Sequence, residues 1–453
     1  MAGGPVRSPD RVYPYENKND MAEKDRCQVC GRELYDEKLC IFHSPKADKD
    51  AELFQRKLNE IFEDNSLESY NFALFVFPAG ISFPKEIDKS IDFASAVFQA
   101  EADFSRRTFQ EMVTFVNATF QGVALFDAAV FRTRVFFGST TFEDKASFFR
   151  AVFENEAIFF AAVFQKKVSF QVTTFKGVTK FWDATFHDIV NFRGATIEGA
   201  LEIDEGNNHK IFSKEEVDFS SVRFSKPEKV SIRKVDLSKF RLLGTDLRKV
   251  QFVDVDWGRK GVRNWIYDEM MPDRGTNKFD YPLIALLYKK LRANYEENLN
   301  YPEAGDFHVG EMQCKRRSYK TWFGRHLSLT AWYKYVSNYG ESYRRPLFFW
   351  ILPILVVFPI LFMYLGIEGV NHSASTYLID YDLDLISFLL NKPAWEKDYL
   401  KAFVYSLSVF SLVREKQYRP IDNWGHFWMV SESILSPVLI AFFLLALRRR
   451  FRR

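Results

Sequence analysis

FASAVFQAEADFSRRTFQEMVTFVNATFQGVALFDAAVF, residues 93–131, repeats a spacing and not a word. Phe93, Phe104, Phe115 and Phe126 stand eleven apart, and the step continues through Phe137, Phe148, Phe159, Phe170 and Phe181 to Phe192. A second register keeps the same step from Phe98 and Phe109 to Phe175 and Phe186. Gaps between neighbouring Phe therefore alternate five and six. Two residues before the second-register Phe stand mostly small residues, including Ala96, Ala118, Ala129, Thr140, Ala151, Ala162, Thr173 and Ala184, with Arg107 as the exception. Two inward positions separated by one outward position follow the period of a strand, not of a helix. Each unit is then one short face of a coil, with a large and a small residue pointing inward. A single unit cannot bury its Phe, whereas stacked coils bury a continuous ladder. The pattern predicts a β-solenoid, with the Phe residues as packing.

Four faces, two of five residues and two of six, make a 22-residue coil. The run from Phe93 to Ile203 then spans about five coils and rises roughly 24 Å at the inter-strand spacing. In this organisation the chain resembles the pentapeptide-repeat proteins. The step of five is clearest in VDLSKFRLLGTDLRKVQFVDVDW, residues 235–257, at Leu237, Leu242, Leu247, Phe252 and Trp257. The resemblance implies a mainly β fold, a right-handed quadrilateral β-helix over residues 70–258. Some soluble members of that family resemble DNA and bind topoisomerases, which requires an acidic rod. Residues 93–203 carry 11 Lys and Arg against 12 Asp and Glu, and the whole chain is +3. No nucleic-acid partner is expected.

The 453 residues leave room for two to four domains. Residues 1–24 are polar and without period, and disorder is expected there. No secretory signal peptide is read at the start of the chain. Of the four cysteines, three fall in CQVCGRELYDEKLCIFH as Cys27-x2-Cys30-x9-Cys40-x2-His43. Two close pairs of sulfur and nitrogen donors suit a tetrahedral, structural Zn2+ held in a knuckle over residues 25–46. Four protein ligands leave no open position for catalysis. AELFQRKLNEIF, within residues 47–69, places Leu53, Phe54, Leu58, Ile61 and Phe62 on one helical face, as expected of a cap on the solenoid's open end. A polar stretch at 204–216 is read as a loop that interrupts the ladder until Phe219.

Beyond the repeat, residues 259–326 read as an amphipathic helical hairpin broken around Asn300 and Pro302. Glu303, Asp306, His308 and Glu311 within it are read as a solvated face, and Cys314 as core. Residues 327–345 mix Trp, Tyr, Lys and Arg and predict a helix lying at a membrane interface. Residues 346–453 predict an α-helical two-span membrane domain, with spans at about 347–366 and 427–447. Arg344 and Arg345 precede the first span and an Arg cluster follows the second. The positive-inside rule then places both termini in the cytoplasm of an inner-membrane, multi-pass protein, with residues 367–426 facing outward.

Between the spans, YLKAFVYSLSVFSLV, residues 399–413, is too short to cross a bilayer and too apolar for an ordinary loop. Short helix, loop, then a full span resembles the two-helix module of potassium channels and their relatives. The resemblance implies a pore built from a homo-oligomer of four or more chains, with inorganic ions as cargo. Ser406, Ser408, Ser411, Arg414, Lys416 and Glu432 are its pore or selectivity candidates. FSLVREKQYRP departs from the potassium filter, lacking Gly, and a basic pore mouth favours anions. The alternative is a membrane-anchored scaffold or sensor whose solenoid binds a cytoplasmic protein. No Ser-His-Asp order, phosphate loop or open metal site marks an enzyme.

Overall fold

The computed structural model describes residues 26–206, 211–212, 216–261, 263–272, 278–370, 378–379, 395–412 and 418–451. The expected disorder of residues 1–24 lies outside the described residues, as do residues 371–377, 380–394 and 413–417 of the 367–426 connection. The chain forms two compact units, Met1–Val235 with Gln251–Val255, and Asp236–Val250 with Asp256–Arg453.

The first unit is the β-solenoid. Its strands are mostly two residues long and pair in parallel, through the regular middle coils at an offset of 22, as in Phe98↔Phe120, Phe120↔Phe142, Phe142↔Phe164 and Phe164↔Phe186. One face is a nine-stranded sheet running from Ser69–Asn71 to Gln251–Val253. Constant register brings like residues into columns. Ring centroids along Phe98, Phe120, Phe142, Phe164 and Phe186 lie 4.5, 4.9, 4.6 and 4.8 Å apart, with planes within 7° of parallel. Rings of adjacent columns meet edge-on, as Phe126 and Phe137 do at 85°. Both are favourable aromatic geometries.

The alternation of five and six has a backbone cause. Ser95, Arg106, Asn117, Ala128, Ser139, Arg150, Ala161, Val172 and Asp183 all have φ between +51° and +58°. Each is the third residue of a turn such as Phe93–Ala96, closed by the Ala96 N–H donating to the Phe93 carbonyl. The five-residue gap holds this left-handed corner and the six-residue gap holds a different one, so two faces form one structural repeat. Thr at the small inward position is explained as well. The buried Thr140 and Thr173 hydroxyls donate to the Phe115 and Phe148 carbonyls at 2.7 and 2.6 Å. Half-buried Arg107 survives at such a position because its Nε donates to the Phe83 carbonyl.

A helix at Ala51–Glu63 starts on Asp50, whose carboxylate accepts from the Leu53 N–H. It buries Phe54 and Leu58 and sets Phe54 edge-on to Phe77 of the first coil. One sequence expectation needs correction. The 204–216 stretch does not break every column, because buried Phe212 stacks on Phe186 at 5.1 Å and bridges to it. Phe212 thus returns an aromatic to the ladder within that stretch. Residues 207–210 and 213–215 lie outside the described residues.

In the second unit, Leu237, Leu242, Leu247 and Trp257 are buried. Helices Tyr281–Glu297 and Tyr301–Ser318 pair as a hairpin. Asn294 donates to the Leu247 and Val250 carbonyls, both at 2.7 Å, and Trp257 Nε1 donates to the Tyr295 hydroxyl. Gly310 is required where the helices touch, since a Cβ there would lie 2.5 Å from the Tyr288 ring. A helix at Leu329–Ser337 follows. Pro346–Leu365 and Asn423–Arg449 are helices long and apolar enough to cross a membrane, and a shorter helix, Trp395–Phe410, packs with them.

Phe137 stacks on both Phe115 and Phe159, so Phe137→Ala should lower unfolding stability by about 3–5 kcal/mol. Phe160, 46% exposed, should tolerate Ala within about 0.5 kcal/mol. Val172 is the β-branched member of the left-handed corners, and Val172→Asn should raise stability by about 1 kcal/mol. Urea titration of the full chain, followed by circular dichroism, checks all three.

Candidate metal centre and a buried contact among the apolar helices

Cys27, Cys30, Cys40 and His43 come together. Their ligand atoms all lie within 4.8 Å of one another. His43 Nδ1 is 3.2 Å from Cys40 Sγ and 3.6 Å from Cys27 Sγ, and Cys30 and Cys40 sulfurs are 3.6 Å apart. Bonds of about 2.3 Å to sulfur and 2.0 Å to nitrogen set tetrahedral edges of roughly 3.5–3.8 Å. The separations of 3.2–3.6 Å lie near those edges, and the cluster is compatible with a structural metal. It does not match a disulfide, and the cysteines are free thiols.

Two turns build the cluster. Gly31, at φ +69°, closes the first, and its N–H donates to the Cys27 carbonyl. In the second, the His43 and Ser44 N–H groups donate to the Cys40 carbonyl. Electrostatics separates the thiols. Burial acts upward on Cys27, but N–H groups of Cys40, Val29 and Cys30 outweigh it and bring the thiol to about 7. Burial pushes Cys40 up to about 12 and holds the His43 imidazole below its usual value. A bound cation reverses that penalty by favouring thiolate.

Sequence reasoning missed what seats the knuckle. Lys49 is buried and its ammonium donates to the carbonyls of Ile41, Ser44 and Val76, joining the knuckle to the first coil. Burial, the largest influence, brings its pKa down to about 8. The Arg32 guanidinium lies over the Phe42 and Phe75 rings. In DKDAEL, Lys49 looks like any solvated lysine, and no local signal identifies it.

Among the apolar helices, the structure joins two of the candidate pore residues. Ser406 Oγ donates to Glu432 Oε1 at 2.6 Å, and both side chains are fully buried. Ser436 is buried beside them, bonded to the Glu432 carbonyl. Ser408 and Ser411 instead return their hydroxyls to the Tyr405 and Leu407 carbonyls of their own helix. Arg414 and Lys416 lie outside the described residues.

The hairpin's polar residues form neither a solvated face nor a metal cluster. Glu311 is buried and pairs with Arg292 at 2.8 Å and with Lys315. Asp306 accepts from the Asn264 N–H, and His308 Nδ1 lies 2.9 Å from Arg292. Burial, with Arg449 and Arg292 adding to it, lowers His308 to about 4. Cys314 is fully buried, in keeping with a core thiol.

Fold and site together define a β-solenoid protein with a Cys3His cluster and two helices capable of crossing a membrane. No family model, curated protein or solved structure matches the chain. For the cluster, elemental analysis of the full chain purified without chelator should find about one metal ion per chain. Cys40→Ala should reduce it to near zero and lower the melting temperature of the solenoid unit.

Proposed function

We propose that this protein is an ion-channel-like membrane protein, assembled as a homo-oligomer of four or more chains. In this reading its solenoid, of the pentapeptide-repeat type, assembles or gates the pore from the cytoplasm. The observation that carries the reading is the short helix Trp395–Phe410, packed with both apolar helices and tied to the last by Ser406 and Glu432. A carboxylate in an apolar bundle is costly and persists where it has work to do. Here Ser406 and Glu432 fix the short helix against the final span. Arg414 and Lys416 follow that helix and favour anions as cargo. Two spans in one chain cannot enclose a pore, so oligomerisation is required.

The Cys27, Cys30, Cys40 and His43 set holds Zn2+ in this reading, because three thiolates and an imidazole suit that ion. Its contribution is to fold a knuckle too short for a core of its own. No reaction is assigned to the chain.

A second reading, a membrane-anchored scaffold, draws on one face of the solenoid. There the strands lengthen to four residues at Thr179–Trp182, Leu201–Asp204 and Val230–Arg233. Lys180, Trp182, Glu202, Asp204, Ser231 and Arg233 line an open depression of about 440 Å3, large enough to seat a partner's side chains.

Native mass spectrometry from nanodiscs separates the two. The channel reading expects four or more chains, and anion flux in reconstituted vesicles that Glu432→Gln slows at least tenfold. A monomer or dimer that persists across detergents, with no flux, favours the scaffold.

A further inference from the structure

The chain's positive charge is concentrated just before the first apolar helix. From Met312 to Arg345 there are eight Lys and Arg and one acid, Glu341. That segment carries +7 in a protein of net +3, so the other residues together carry −4. The cations crowd one another. Burial lowers the Lys334 ammonium pKa, and Arg316, Arg345 and Arg317 lower it further.

Large apolar side chains stand exposed among these charges. Trp322, Phe323, Leu329 and Trp332 are 62, 69, 86 and 51% exposed. Their backbone is nevertheless well held. Thr321 caps the turn Trp322–His326 by accepting from the Gly324 N–H, Arg325 Nε donates to the Tyr319 carbonyl, and Arg316 donates to the Arg325 carbonyl. A held turn that points Trp and Phe outward among cations has the composition of a surface for headgroups and upper acyl chains. It is also continuous with the apolar helices. Pro346 opens the first, and Arg449, at the end of the last, donates to the Tyr339 carbonyl and to Glu341.

We propose that residues 319–334 dock on the surface of a bilayer containing anionic phospholipid. Trp322, Phe323, Leu329 and Trp332 enter the interface while the surrounding Lys and Arg meet lipid phosphate. This rests on the reading that Pro346–Leu365 and Asn423–Arg449 cross the bilayer. The selectivity for anionic lipid goes beyond it. Each cation near such a surface contributes roughly a fivefold preference over neutral lipid.

The test is hydrogen exchange of the full chain in nanodiscs of phosphatidylcholine alone or mixed with phosphatidylglycerol. Peptides from 319–334 should exchange at least fivefold more slowly in the anionic discs. Lys320→Gln with Arg344→Gln, both at exposed positions, should shrink that difference at least fivefold, and Trp322→Gln with Phe323→Gln should remove the protection in either disc. Equal exchange in both discs would overturn the proposal, as would full protection by millimolar inorganic phosphate in neutral discs. Alkaline carbonate extraction of vesicles distinguishes the underlying reading. A chain that washes off does not span the bilayer, whereas one that stays without lipid selectivity spans it but lacks this surface.

Discussion

Parallel pairing in register, at an offset of 22 residues through the regular coils, is the constraint on which the solenoid depends. Once Phe98 pairs with Phe120, every inward side chain of one coil lies over its counterpart in the next. The backbone bonds and the ring stacks are therefore satisfied by the same register. A slip of one residue would lose both, because it would turn the Phe outward. Cooperation between backbone and side chain lets strands of two residues persist, though none could hold as an isolated pair.

The ladder was legible because its signal is periodic and each Phe repeats the evidence of the last. The corners were not. Ser95, Arg106, Ala128 and Val172 have no composition in common, since the left-handed conformation is imposed by the turn and not chosen by the residue. Phe212 was hidden for a related reason. Its neighbours are polar, and only the stack on Phe186 shows that the chain returns to the core. The metal ligands could be read because x2 spacing is local chemistry. Lys49 could not, as its three carbonyl partners come from 41, 44 and 76. Ser406 and Glu432 each drew notice singly, but their contact joins two helices and is a tertiary fact.

Several buried polar groups in the two units are satisfied in one way. The Thr140 hydroxyl, the Lys49 ammonium and the Asn294 amide all bond to backbone carbonyls. Where the repeat begins or its geometry changes, a side chain takes the place of a missing strand. Glu269 does the same for charge, holding Arg263 and Arg317 in one buried cluster with the Tyr288 hydroxyl.

The offset of 22 also makes the length of the solenoid a quantity that changes in whole steps. Removing one coil, Phe115 to Phe136, would place Ala96 and Phe98 under the columns that now continue at Thr140 and Phe142. The rod would shorten by about 4.8 Å with its cross-section intact. A change of any other size shifts the pairing offset, as between Val190 and Val217, which pair 27 residues apart. Reach can therefore be lengthened or trimmed by duplication and deletion, without redesign of the core or of either end.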